Sequence, residues 1–272
     1  MSHCRDPIDP AAVRDALGRN DGWTLRHTDV TGSSNADLAA QAAAGAPTGT
    51  VLIVEEQQSG RGRLGRRWQA PRGSSLMMSI LLRPDRVPAA SRGWAGALLG
   101  IAIVDGLRQV ATIEATLKWP NDVLIGDRKC AGILAEASGD ALVVGAGLNV
   151  TLTTEELPRP DATSLLLAGN APDRADLAAA VLDHFGELVG RWYAADGDMA
   201  ASGLLTEYRQ HCSTIEAKVR VELPTGEWAT GTAIDVADEG ALVVVDAGGI
   251  PHRYSAADVV HLRPANSSVD HG

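Results

Sequence analysis

The residues best suited to chemistry stand together at Gly60-Arg61-Gly62-Arg63-Leu64-Gly65-Arg66-Arg67-Trp68, between two apolar, strand-like runs. Arginine offers a planar, permanently charged fork that matches carboxylate and phosphate oxygens two at a time, and interleaved glycines let the backbone approach closely or take positive φ. Such a loop predicts an anionic ligand, although taken alone the arginines also fit a solvated surface loop. The chain around it has a formal net charge of −10, so the basic stretch is a local exception. That overall charge opposes sequence-independent binding to nucleic acid, which needs a broad basic face.

Three other segments carry polar groups where a cleft could use them. Lys118-Trp119-Pro120-Asn121-Asp122 puts a lysine at the end of a strand, just before a turn; an edge lysine and a core tryptophan would look the same. Thr31-Gly32-Ser33-Ser34-Asn35 sets hydroxyls and an amide at a helix start, where Ser33 or Ser34 can serve as N-cap. Gly145-Ala146-Gly147-Leu148-Asn149-Val150 ends a strand with small residues, which suits a flat ligand or tight sheet packing. The spacing Gly60-x-Gly62-x-x-Gly65, with Asp85 downstream, also matches the dinucleotide-binding fingerprint. That site needs a helix opening at the third glycine to receive the pyrophosphate, and Pro71 and Gly73 leave no room for one before the strand near Ser75. No P-loop is present. His27, His184 and His211 lack metal-ligand spacing, and no metal site is read.

These groups need a scaffold. The 272 residues suffice for one or two domains without disulfide or metal staples. Aromatics are only 4% of the chain, so the core should rest on Ala, Val, Leu and Ile. Residues 1–24 read as a polar N-terminal extension with a short helix around Ala11 to Leu17. Helices are expected from Asn35 to Ala44, Arg92 to Val110, Arg174 to Ala194 and Ser202 to His211. Strands are expected at about Thr50 to Glu55, Ser75 to Leu82, Ala115 to Lys118, Val123 to Ile125, Cys130 to Glu136 and Ala141 to Val150. This is a sheet with helices covering one face. Near Ser213 the pattern changes to short alternating strands around a Pro224-Thr225-Gly226 turn, a second, small all-β domain. The boundaries are 25–212 and 213–263, with 264–272 a disordered tail. No apolar run reaches the roughly 20 residues of a bilayer span, no signal-peptide core opens the chain, and the three scattered cysteines Cys4, Cys130 and Cys212 read as reduced thiols. A cytoplasmic protein is expected.

The four segments, in this order and spacing, together with Lys129-x-Ala131-Gly132-Ile133-Leu134, resemble the biotin protein ligases from about Leu25 to Leu262. The chain departs from the family pattern at Ser33-Ser34-Asn35, where Ser-Thr-Asn is usual, and at Cys130. The resemblance implies an α+β fold: a mixed sheet with helices packed on one side, then a small SH3-like β-barrel. It implies that biotin and ATP, carried with Mg²⁺, form biotinyl-5′-adenylate, and that biotin passes to a lysine of a carrier domain of an acyl-CoA carboxylase. Ser33, Ser34, Asn35 and Gln57 would hold the ureido end of biotin. Arg61, Gly62, Arg63 and Lys118 would meet its carboxylate and the α-phosphate, with Lys118 and Arg63 catalytic. Arg66, Trp68 and Asn149 would meet the nucleotide. The winged helix-turn-helix of bifunctional relatives is missing, so a monofunctional enzyme is expected, a monomer or weak homodimer with no nucleic-acid or membrane partner. Lipoate-protein ligases and octanoyl transferases of the same fold are the alternative within the class, and a glycine-arginine RNA-binding module is the alternative outside it.

Overall fold

The computed structural model describes residues 5–18, 22–223, 227–255 and 258–261. The 224–226 turn, Cys4 and the 264–272 tail lie outside the described residues.

A seven-stranded sheet forms the centre: β1 (Thr24–Thr31), β2 (Thr50–Gln57), β3 (Ser75–Leu82), β4 (Thr116–Lys118), β5 (Asp122–Ile125), β6 (Arg128–Ser138) and β7 (Ala141–Asn149), in the order β1-β2-β3-β7-β6-β5-β4. It is mixed, because β1 pairs parallel with β2 while the remaining pairs are antiparallel. Strand β3 is buried at every position, as its unbroken apolar run with two serines requires when both faces are covered.

Alternate residues of the central strands serve different faces. Val51, Ile53, Leu76, Met78, Ile80, Leu142 and Val144 join the main core with the helices α1 (Pro10–Ala16), α3 (Trp94–Ala111), α4 (Arg174–Ala194) and α5 (Leu204–His211). Leu52, Val54, Met77, Leu81 and Val143 point the other way and pack on Leu38 and Ala42 of α2 (Ser34–Ala43). The one-sided helical layer therefore holds for α1, α3, α4 and α5, while α2 lies on the opposite face. Its apolar stripe was legible, but periodicity cannot say which side of a sheet a helix joins. Residues 89–111, though interrupted by Arg92, Asp105 and Arg108, are apolar and long enough by composition to cross a membrane; 67% of an 18-residue window within them is buried, as α3 is the central core helix. Aromatics also count for more than their number suggests, since Trp192 and Phe185 head the largest fully buried side chains.

The described part of the N-terminal segment is packed onto the larger domain. Ile8 and Val13 are in the main core. The Ile8 backbone N–H donates to buried Glu55 Oε1 at 2.7 Å, and Arg174 donates to Glu55 Oε2 at 2.7 Å and to the Asp6 carbonyl at 2.6 Å. A full carboxylate is tolerable there because each oxygen is satisfied by a cation or a donor. Strand β1 was not foreseen: Arg26, His27, Thr28 and Asp29 hide it, and as an edge strand it buries only Leu25 and Thr31.

The small domain is a five-stranded antiparallel sheet of β8 (Lys218–Glu222), β9 (Trp228–Val236), β10 (Leu242–Val245), β11 (Pro251–Tyr254) and β12 (Asp258–His261), ordered β11-β10-β9-β8-β12. Val219, Val221, Ala233, Leu242 and Val244 form its buried side. Trp94 Nε1 and Trp119 Nε1 donate to the carbonyls of Asp238 and Gly240, which anchors it to the larger domain.

Candidate active site

A cleft of about 1130 Å³ opens on the α2 side of the sheet and reaches the small domain. Every residue to which the resemblance gives a site role lines it: Ser33, Ser34, Asn35, Gln57, Arg61, Gly62, Arg63, Arg66, Trp68, Lys118 and Asn149.

Its floor at one end is a polar network. Ser33 takes the N-cap position of α2 in extended backbone but makes no side-chain cap bond. Ser34 instead directs its backbone N–H and its hydroxyl to Gln57 Oε1, at 2.8 and 3.1 Å. Ser79 Oγ lies 2.7 Å from Ser34 Oγ and 2.6 Å from Asn35 Oδ1. Asn35 Nδ2 donates to the Leu134 carbonyl and to Glu136 Oε2, at 3.1 and 2.8 Å. Sequence reasoning missed Ser79 and Glu136. A hydroxyl inside the run Leu-Met-Met-Ser-Ile-Leu-Leu was the signal for the first, whereas Glu136 gave none.

The small residues of β7 shape the middle. A Cβ at Gly145 would lie 2.1 Å from Asn35 Oδ1, and one at Gly147 would lie 2.3 Å from the Trp68 ring. Close packing, one of the two readings left open for these glycines, is thus real, and what they pack against are two residues of the cleft itself. The Trp68 indole lies over Gly132 and Gly147. Its Nε1 is buried without a hydrogen-bond partner among the described residues, as is Asn149 Oδ1. Asn149 is already half employed, since its Nδ2 donates to the Thr163 carbonyl at 2.9 Å.

Arg61 to Trp68 form a compact turn, not the helix a dinucleotide fingerprint demands. Arg61 and Arg67 make an isolated antiparallel bridge, and Gly62 N–H donates to the Arg66 carbonyl at 2.7 Å. Between them is a single 3-10 turn at Arg63–Gly65 with Leu64 in the left-handed region. Arg61 and Arg66 are exposed, and Arg63 is half-buried with Nη1 3.5 Å from Asn121 Oδ1. Burial lowers the pKa of Arg63, Asp122 opposes this, and Arg66 adds to it.

Opposite the loop, Lys118 ends β4 and pairs in register with Asp122 of β5. Burial holds its ammonium below the usual lysine pKa; Asp122 opposes that shift, while Lys129 and Arg159 reinforce it. Lys129 Nζ is 2.5 Å from Asp122 Oδ1, and Arg159 pairs with Asp161. The cleft thus gathers Arg63, Arg66, Lys118, Lys129 and Arg159 in a chain of net charge −10. Of these, Lys118 and Arg63 are partly buried, and preorganised cations removed from water stabilise negative charge better than exposed ones. Arg159 and Lys129 were not assigned roles from the sequence; both reach the cleft because Lys129 and Ala162 bridge.

Comparison with known proteins fits this geometry. The model of the biotin/lipoate A/B protein ligase family matches residues 31–150, and that of the biotin protein ligase C-terminal domain matches residues 214–262. The biotin–[acetyl-CoA-carboxylase] ligase of Mycobacterium tuberculosis is 44% identical over 95% of this chain and 97% of its own length. The chain belongs to the biotin protein ligase family. A bifunctional ligase/repressor BirA of Bacillus spizizenii is 32% identical over 86% of this ligase and 73% of its own length. Among solved structures, a biotin protein ligase from Aquifex aeolicus in complex with biotin and ATP superposes with a TM-score of 0.73, covering 89% of this chain and 99% of that one. At 24% identity that likeness speaks for the fold, a mixed sheet with helices followed by a small β domain.

Proposed function

We propose that this ligase joins biotin to ATP as biotinyl-5′-adenylate and then transfers biotin to one lysine of a carrier domain of an acyl-CoA carboxylase. The observation that carries the reading is one cleft with two unlike ends, a neutral polar floor at Ser34, Asn35, Gln57 and Ser79, and a cationic wall at Arg63, Arg66 and Lys118. Biotin has that polarity: a neutral ureido group at one end and a carboxylate at the other.

In the first step a biotin carboxylate oxygen attacks the α-phosphorus of ATP and pyrophosphate leaves. Both reactants are anions. Lys118, Arg63 and Arg61 offset their repulsion and the charge that builds on the five-coordinate phosphorus. Mg²⁺ enters on the nucleotide's phosphates as part of the substrate. Of the carboxylates that line the cleft, Asp122 is engaged by Lys129 and Asp161 by Arg159. Trp68 Nε1 and Asn149 Oδ1 supply an unsatisfied donor and acceptor for the adenylate. In the second step the carrier amine attacks the acyl carbon, AMP departs with the bridging oxygen, and the amine loses a proton. No covalent enzyme intermediate is needed, in keeping with the buried, high-pKa thiol of Cys130.

The lipoyl alternative lacks the support that the C-terminal domain match at 214–262 gives to biotin. We place the reaction in the cytoplasm, where ATP is available and buried free thiols such as Cys130 and Cys212 persist. Labelled pyrophosphate should exchange into ATP only when biotin is present. Exchange driven by lipoate, or independent of any acid, would refute the assignment.

A further inference from the structure

Strand β4, which carries Lys118, is three residues long and lies at the edge of the seven-stranded sheet. So short an edge strand has little stability of its own, and its outer backbone groups need partners. The linker to the small domain supplies them. Ser213 donates to the Leu117 carbonyl from its backbone N–H at 2.8 Å and from its hydroxyl at 3.0 Å. Thr214 Oγ1 accepts the Trp119 backbone N–H at 2.9 Å. The residues before and after Lys118 are thereby both tied to the linker, while β5 holds the inner side.

Thr214 is fully buried, and its hydroxyl has a second partner, His261 Nε2 of β12 at 2.9 Å. Since the hydroxyl oxygen receives the Trp119 N–H, its own proton is free to go to His261. Burial, helped by the Lys118 charge, draws His261 down to about 4, so at neutral pH its ring is uncharged and able to accept. His261 also lines the cleft.

We propose that Thr214 and His261 are positioning residues for Lys118: the linker and last strand of the small domain lock the edge strand that presents this lysine to the reacting carboxylate and phosphate. The inference rests on the reading of Lys118 as a residue of adenylate formation. On this view the small domain sets the geometry of the first half-reaction, whatever it contributes to holding the carrier.

The test compares biotin-dependent pyrophosphate exchange with transfer from chemically prepared biotinyl-adenylate to an apo carrier domain, in the full chain. Loss of one hydrogen bond that fixes Lys118 should lower the exchange kcat of Thr214→Val by roughly 5- to 10-fold, with transfer changed far less. Thr214→Ser should restore exchange. His261→Leu should impair it, and His261→Gln, which keeps an acceptor, should recover it; this pair carries the comparison if Thr214→Val does not fold. In a Lys118→Ala background Thr214→Val should cost nothing further. An equal cost with and without Lys118, or equal loss in both half-reactions, would make Thr214 a brace of the fold only and overturn the inference. If Lys118→Ala itself left exchange intact, the reading of Lys118 would fail, and the positioning claim with it.

Discussion

Two opposing demands meet at Lys118. Burial beside Lys129 and Arg159 disfavours its charge, yet a developing negative charge on phosphorus needs that charge in place. Lys118→Ala should slow adenylate formation about 100- to 1000-fold, the usual cost of one preorganised electrostatic donor, and leave transfer from preformed adenylate far less affected. Pre-steady-state measurement of each half-reaction decides it; equal losses would make the lysine structural or shared. Because its pKa in the free enzyme lies below the ordinary 10.5, kcat/KM should fall on the alkaline side at a lower pH than a solvent-exposed lysine would give. Lys118→Arg should remove that limb, since guanidinium stays charged. At this scale the sequence told most where chemistry is intrinsic to the residue type: arginines between glycines, a lysine before Pro-Asn-Asp. Ser79 showed only as a lone hydroxyl in an apolar run, and Glu136, Thr214 and His261 were illegible as site residues because their side chains are ordinary; only the register that sets Ser79 opposite Gly145, or β12 beside Thr214, gives them neighbours.

Among the elements, β7 and the arginine loop carry the strongest expectations. Gly145→Ala would drive a methyl group into Asn35 Oδ1, which Ser79 and the Nδ2 bonds to Leu134 and Glu136 hold in place. Displacing Asn35 should weaken biotin binding at least tenfold while the fold survives; titration calorimetry reads it, and unchanged affinity would remove Asn35 from the biotin floor. The loop is closed by few backbone bonds, and Arg61, Arg66 and Arg67 are exposed. An anion that neutralises these charges offsets the entropy of ordering. Trypsin should therefore cut within 60–73 rapidly in the free protein, more slowly with biotin, and least with biotin and Mg²⁺-ATP. Identical rates in the three states would return the arginines to a solvated surface. Element boundaries were legible where caps and periodicity agree, as at α4, whose N-cap Asp173 accepts from Ala175 N–H and Asp176 N–H. They failed at β1, whose exposed positions include the polar Thr24, Arg26 and Asp29 and so break the apolar pattern of a strand.

For the whole molecule, charge linkage joins the two domains and the N-terminal segment. Between pH 6.5 and about 4 the unfolded chain takes up a proton on His261 that the folded chain refuses, so stability should fall as pH falls through this window. His261→Gln should flatten that part of the profile in urea melts at successive pH values. Glu156, hydrogen-bonded by Arg5 and held at about 2, contributes stability that is present above its ordinary 4.5 and lost as pH falls towards 2. The division into a mixed sheet and a small β domain was visible from the change of pattern near Ser213. The seat of the first residues on Glu55 and Arg174 was not, because a buried ion pair between positions 119 residues apart leaves no local trace. With a net charge of −10, no sequence-specific operator binding is expected, and a salt-resistant gel shift would contradict that. The central claim is tested most directly by incubating the protein with biotin, Mg²⁺-ATP and an apo carrier domain and weighing the carrier by mass spectrometry. One biotinyl group on a single carrier lysine, formed only with ATP and accompanied by AMP and pyrophosphate, is the predicted result; a lipoyl adduct when lipoate competes with biotin, or an unmodified carrier, would contradict it.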